Sequence, residues 1–345
     1  KNGSRALPAL IVAPLSTLDT WKNELAQSAA ASLHVVVYNG DAAARARVLN
    51  GQKFDVVITN PDVLVRKRFA RYSISFCAIV LTICYYQKQF QSKEFTPFAK
   101  EVLNYLETQK VAALGGEAIQ FAQRDLKSTP WDETKVLALE HNVDAYSAFG
   151  VYADLNDDKK FKETSIKIKK FISSLWDNQK KHYWSGYLLD KQKINKDEIY
   201  LDNQTWTLLA IDDSDISYED ANHALNKACE SFYHVAKENK SEIHGFFDRR
   251  SVRAPAFDKF VWSEGTAGKL LASKFINPHL EYKCHETTER HFKEAFKLMK
   301  SRDGGISYAT KTSNIDFTTD SSIAGTAWAY FYHAGLNPFK LTSLK

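Results

Sequence analysis

Leu139-Glu140-His141-Asn142-Val143-Asp144-Ala145-Tyr146 opens a stretch with helical apolar recurrence over residues 143–155. Glu140 and Asp144 stand four residues apart, so a helix puts both carboxylates on one face. Two later stretches are built alike: Leu201-Asp202-Asn203-Gln204-Thr205-Trp206 and Val261-Trp262-Ser263-Glu264-Gly265-Thr266-Ala267. If the first of these is helical, Asp202 and Trp206 share a face. Glu264 follows Trp262 at a helix start, where unpaired backbone N–H groups favour an anion. The same helical period recurs over residues 162–175, 218–235, 262–275, 286–300 and 322–334. Between these runs lie loops rich in aromatics, glycine and carboxylates, such as Tyr183-Trp184-Ser185-Gly186-Tyr187 and Gly245-Phe246-Phe247-Asp248. No internal repeat is exact. The alternation of helix pairs with such loops predicts a mainly α domain over residues 96–345, with antiparallel hairpins arranged as a toroid.

Residues 1–67 differ in kind. Apolar, β-branched runs at 9–13, 33–38 and 54–59 read as strands, and Trp21-Lys22-Asn23-Glu24-Leu25 reads as helix. Strands alternating with helix predict a small parallel α/β piece. Residues 68–95 change again. A basic flank, Arg66-Lys67-Arg68-Phe69-Ala70-Arg71, precedes an apolar run over residues 72–86. Basic then apolar is the pattern of a signal or anchor segment, although a membrane span wants about 20 residues. The alternative is a buried strand or helix. A signal reading would make the protein secreted or membrane-anchored; otherwise it is intracellular. Residues 72–86 alone offer a route to membrane contact.

The 345 residues carry 44% hydrophobic and 25% charged side chains, which excludes collagen-like, wholly disordered and polytopic membrane classes. A net charge of +5 from 46 basic against 41 acidic residues is too balanced to argue for a nucleic-acid partner. Of the 7 tryptophans, only Trp21 precedes residue 130, so aromatic rings concentrate in the helical part. The four cysteines, Cys77, Cys84, Cys229 and Cys284, fit no zinc spacing and are too sparse for a disulfide scaffold. Cys77 and Cys84 read as buried thiols. No metal and no cofactor is implied, and oligomeric state is left open.

On its three motifs, the part from residue 131 to 345 resembles the six-hairpin glycosidase-like superfamily, which implies an (α/α)6 toroid and a cleft for poly- or oligosaccharide. A full toroid has twelve helices and more residues than are present here, so the resemblance implies an incomplete ring. Leu10 to Leu25, Val35 to Gly40 and Phe54 to Leu64 resemble the first ATPase lobe of Swi/Snf-type helicase-like remodellers. No G-x-x-x-x-G-K-[ST] loop and no Asp-Glu-x-His box accompanies them, so no ATPase activity is expected.

Residue chemistry points the same way as the first resemblance. Glycoside hydrolysis needs one protonated and one ionised carboxyl group. Sugar rings need flat apolar faces with a polar edge, which Trp and Tyr supply. Glu264 is expected as the general acid, with Asp202 or Asp144 as the base acting through water. Glu140, His141, Gln204, Trp206, Trp184, Tyr187 and Trp262 are expected to line the substrate site. Asp248 and Asp258, beside Arg249, Arg250 and Arg253, read as ion-paired surface groups. Two other classes stay open: a Swi/Snf-like DNA-dependent ATPase fragment without its catalytic motifs, and a non-catalytic glycan-binding scaffold.

Overall fold

The structure, a computed structural model, describes residues 9–12, 17–27, 33–39, 56–59, 73–120, 135–211, 215–238, 241–251, 259–278, 283–285, 287–301, 304–312 and 317–343. Asp258, Arg253 and Trp131 lie outside them. The chain divides into two compact units, residues 1–71 and 72–345.

In the first unit, β1 (Ala9–Val12), β2 (Val35–Tyr38) and β3 (Val56–Thr59) form a parallel sheet in the order β1-β3-β2, and α1 spans Leu18–Gln27. The middle strand holds the core: Val56 and Ile58 are buried with Leu18, and Leu25, Leu33, Val35 and Val37 pack around them. Parallel pairing needs a crossover, which α1 begins.

The second unit contains nine helices among the described residues: α2 (Ser73–Phe90), α3 (Thr96–Glu107), α4 (Leu139–Asn156), α5 (Lys159–Ser174), α6 (Leu201–Ala210), α7 (Tyr218–Phe232), α8 (Ser263–Ile276), α9 (Glu289–Leu298) and α10 (Ile323–Ala334). The even-numbered helices pack side by side in chain order, α2 on α4, α4 on α6, α6 on α8 and α8 on α10. The odd-numbered ones lie against them from outside. The burial follows this division. Every residue of α6 is buried, and so is Ser263–Ser273 of α8, whereas α5 and α9 bury one stripe. This is four hairpins and a fifth inner helix of a toroid, short of the twelve helices of a full ring.

The apolar run over residues 72–86 leaves two readings open, a signal or a buried strand or helix; from residue 73 on it forms a helix of this unit. Its apolar residues form α2, which buries Phe76, Cys77, Val80 and Cys84 and packs on α4. A run that is apolar nearly all round suits an inner helix as well as a signal. Among the described residues no helix is long and apolar enough to cross a membrane. The helix expected over 218–235 ends at Phe232, because Tyr233–Glu238 turns into a strand paired with Ser241–Phe246. Cys229 and Cys284, for which the sequence suggested no pairing, are joined. They form a disulfide between α7 and the strand Lys283–Cys284, while Cys77 and Cys84 stay free and buried. A separation of 55 residues gives the sequence no way to announce that pair.

The fold does contain a repeat, one of contacts rather than letters. The fourth residue of each of α4, α6, α8 and α10 accepts a backbone N–H from the strand that follows the preceding outer helix. Ile119 donates to Asn142 Oδ1 at 2.7 Å, Tyr183 to Gln204 Oε1 at 2.8 Å, Phe246 to Thr266 Oγ1 at 3.0 Å and Ile306 to Thr326 Oγ1 at 2.9 Å. Asn142 and Gln204 also return a hydrogen bond to the carbonyl of the same strand residue, at 3.1 and 2.9 Å. The first N–H of an inner helix then bonds the loop of the next repeat: Leu139 to the Ser185 carbonyl, Leu201 to Asp248 and Ser263 to Tyr308. Each loop is thereby held by two neighbouring inner helices at their N-terminal ends. These bonds satisfy backbone groups that burial would otherwise strand.

Candidate active site

Glu140, Asp202 and Glu264 occupy the same place in three adjacent inner helices, the second residue of α4, α6 and α8. The locking contacts bring these helix starts to one end of the unit, and the three carboxyl groups meet there. Glu140 and Asp202 are hydrogen-bonded to each other, and the charge of Glu140 acts on both Asp144 and Glu264. Asp144, one turn into α4, completes a group of four. Asp144, Asp202 and Glu264 are buried; the Glu140 side chain keeps 27% of its exposure, so this carboxylate is the one that solvent reaches best.

Four carboxyl groups this close cannot all ionise in a buried site. Burial, helped by the Glu140 charge, pushes Glu264 up to about 7, against hydrogen bonds from Tyr308 and Trp328 that favour its ionised form. Burial pushes Asp144 well above the usual carboxylate range, and the charges of Glu140 and Glu264 add to it. Asp202 moves the same way, through burial, the Glu140 charge and the bond it shares with Glu140. Glu140 alone falls below its ordinary value. Burial opposes this, but His141, with Nε2 3.2 Å from Glu140 Oε1, and Asp202 hold the charge there. Of the four, Glu140 is the one whose neighbours donate to it and whose side chain is less deeply buried, which favours its charge.

Aromatic rings surround this cluster. Trp206 of α6 and Trp328 of α10 stack at 5.0 Å and 7°, and Gly268 of α8 sits against both. A Cβ on Gly268 would fall 2.8 Å from Trp206 Nε1, and one on Gly265 would fall 2.2 Å from the Trp262 ring. Glycine at these two positions is what lets α8 approach its neighbours. Trp262 meets the Tyr308 ring edge-on at 6.4 Å. Among the described residues of α4 and α6, four buried polar atoms have no partner in the protein: Asp144 Oδ2, Ser147 Oγ, Asn203 Oδ1 and Trp206 Nε1. A hydroxyl-rich ligand is chemically suited to satisfy such atoms.

Other expected site residues have structural work. Gln204 is committed to the Tyr183 backbone and to the Tyr200 carbonyl at 3.1 Å. Trp184 donates to Asp177 Oδ2 at 3.1 Å and lies edge-on to His182 at 4.4 Å. Tyr187 sits in a strand between Leu137 and Ile194. The loop carrying both rings helps hold the start of α4. Asp248 is more deeply placed than a surface group: its side chain is 14% exposed, burial raises it to about 6, and Arg249 opposes that shift. Tyr308 and Trp328 donate to Glu264 and were not anticipated. The pattern of Tyr308 with Gly304 and Gly305 was visible, but nothing in the sequence tied that loop to α8.

Comparison with known proteins gives two results, one for each part. Residues 1–111 match the family model of the SNF2-related domain, a stretch that runs past residue 71 and over α2 and α3. No curated protein matches the chain in sequence. Among solved structures, a family 76 glycoside hydrolase from a bovine Bacteroides thetaiotaomicron strain matches with TM-score 0.51 at 9% identity, covering 76% of this chain and 56% of its own. An α-mannanase of the same family from Bacteroides thetaiotaomicron matches with TM-score 0.51 at 10% identity, covering 81% and 71%. Cellobiose 2-epimerase from Spirochaeta thermophila matches with TM-score 0.51 at 10% identity, covering 69% and 62%. The second unit has the (α/α)6-type fold. The chain spans less than two thirds of the first and third of these structures. The likeness is one of architecture, and what the architecture is used for follows from the site.

Proposed function

We propose that the helical unit hydrolyses a glycosidic bond in a poly- or oligosaccharide. The observation that carries this reading is the division of charge among clustered carboxyl groups: Glu264 holds its proton to about pH 7 while Glu140 is ionised. Glu264 acts as the general acid and protonates the leaving oxygen. Glu140 is the ionised partner on which a paired-carboxylate mechanism depends. Asp144, held protonated by burial, donates a hydrogen bond to a sugar hydroxyl, while Asp202 keeps its proton directed at Glu140. Buried Trp262, Trp206 and Trp328, with half-buried Tyr308, supply apolar walls in which a charge interaction is stronger than in water. The fold shared with a family 76 glycoside hydrolase and an α-mannanase supports a carbohydrate ligand and makes α-mannan one polymer to try. Residues 1–111 contribute no ATP hydrolysis in this reading, since the phosphate-cradling loop is missing.

The test is a panel of polysaccharides, α-mannan among them, incubated with the full chain and with Glu264→Gln. Release of reducing ends by the parent, lost in the variant while binding is kept, is the expected result. Binding without release by the parent would favour a glycan-binding scaffold. DNA-stimulated ATP hydrolysis would overturn the reading.

A further inference from the structure

We infer that His141 is a positioning residue: it decides which of the four clustered carboxyl groups keeps the negative charge. The inference rests on the hydrolytic reading above but has its own observations. Glu140 and Asp202 are bonded to each other, so one proton must lie between them. Which partner takes it depends on the other donors each one meets. Asp202 Oδ1 receives the backbone N–H of Asn203 at 2.6 Å. Glu140 Oε1 receives His141 Nε2 at 3.2 Å, from a ring whose side chain is 3% exposed. Glu140 thus has the ring N–H of His141 besides the Asp202 proton, whereas Asp202 has the Asn203 amide.

The groups facing this cluster are few among the described residues. From α4 they are Glu140 and Asp144, from α6 Asp202, from α8 Glu264, and from the following loop Tyr308. Cys77 of α2 faces Asp144. In this set His141 is the side chain that offers Glu140 a ring N–H. Removing its donor leaves Asp202 with the Asn203 N–H and takes the matching donor from Glu140. The charge then spreads to Asp202, and the pair releases its proton at higher pH.

The experiment compares His141→Leu, which removes the donor, with His141→Gln, which keeps an N–H at a similar reach. In the full chain, kcat against pH should show an acid limb set by the Glu140–Asp202 pair. In His141→Leu that limb moves up by about one pH unit or more, the size expected for losing a hydrogen bond to a charged group, with KM within about twofold. His141→Gln stays within about half a unit of the parent. An unmoved limb in His141→Leu, or a loss confined to KM, overturns the inference. If His141→Leu does not fold, His141→Met repeats the test with a flexible side chain.

A second readout separates this inference from the hydrolytic reading. Infrared titration of the carboxyl bands, with Glu140 assigned by its loss in Glu140→Gln, needs no turnover. Protonation of Glu140 at higher pH in His141→Leu supports the inference even if no glycan is cleaved. An unchanged midpoint overturns it whatever the activity.

Discussion

Helices α8 and α10 are neighbours in the ring and start in the same way, yet they carry different chemistry. Both have glycine at the third position, Gly265 and Gly325, and threonine at the fourth, Thr266 and Thr326. Both threonines hold the backbone of the preceding strand. At the second position α8 has Glu264, buried among the other carboxyl groups, where α10 has Ala324. At the seventh, α8 buries Lys269 where α10 has Ala329. The first residue of α10, Ile323, is 87% exposed. The comparison separates two layers in the same few residues. Positions three and four build the ring, and position two carries the carboxyl group that the proposed hydrolysis would use. A ring of this kind can hold acids on some of its helix starts and leave others bare.

The largest expected effect tests the second position. Glu264→Gln should lower kcat by about a thousandfold, the range for loss of a positioned general acid. The same change should not weaken the fold. Glu264 is raised in the folded state from 4.5 to about 7, so folding favours its protonated form. Its stability contribution is complete below the lower value and is lost as pH rises through the upper one. Denaturation curves should therefore coincide near pH 4 and show the variant as the more stable near pH 8.

Lys269 comes next, and its sign is opposite. It is 1% exposed, with Nζ bonded to Ser273 Oγ at 2.9 Å, and burial lowers it from 10.5 to about 7. The unfolded chain binds more protons between those values, so stability rises with pH across that window. Lys269→Met should raise stability by a few kcal/mol at pH 6. The gain should shrink steadily towards pH 10, and urea unfolding at several pH values would show it. A gain that does not vary with pH would mean that Lys269 binds its proton equally well in the folded and unfolded chain.

The locking contacts predict smaller effects. Asn142→Ala strands both the N–H and the carbonyl of Ile119 and should cost about 3 kcal/mol in chemical unfolding. Thr326→Val removes a single acceptor from Ile306 and should cost about 1 kcal/mol. If the two changes cost the same, the paired contact at Asn142 is not the stronger lock.

Much of this was legible in the sequence, for identifiable reasons. Apolar spacing marks α4, α5, α8 and α10 because each buries a continuous stripe or a whole surface. The acids Glu140, Asp202 and Glu264 stand out because each opens an inner helix beside aromatic residues. The locking repeat was hidden because asparagine, glutamine and threonine do one job with three side chains of different length. Helix α2 was ambiguous because an inner helix and a signal segment share the same apolar composition. The identity of the ionised carboxylate was not legible at all. It depends on contacts between helices 62 and more residues apart, on burial, and on His141 beside Glu140.

The central claim is that acids from three helix starts share one site and one charge. Carbon-13 NMR titration of the Glu264 carboxyl, in the full chain and in Glu140→Gln, tests it directly. The account predicts a midpoint near 7 in the parent and a fall of about half a pH unit or more when the Glu140 charge is removed. A Glu264 that titrates in the ordinary glutamate range, or that ignores the change at Glu140, would contradict it.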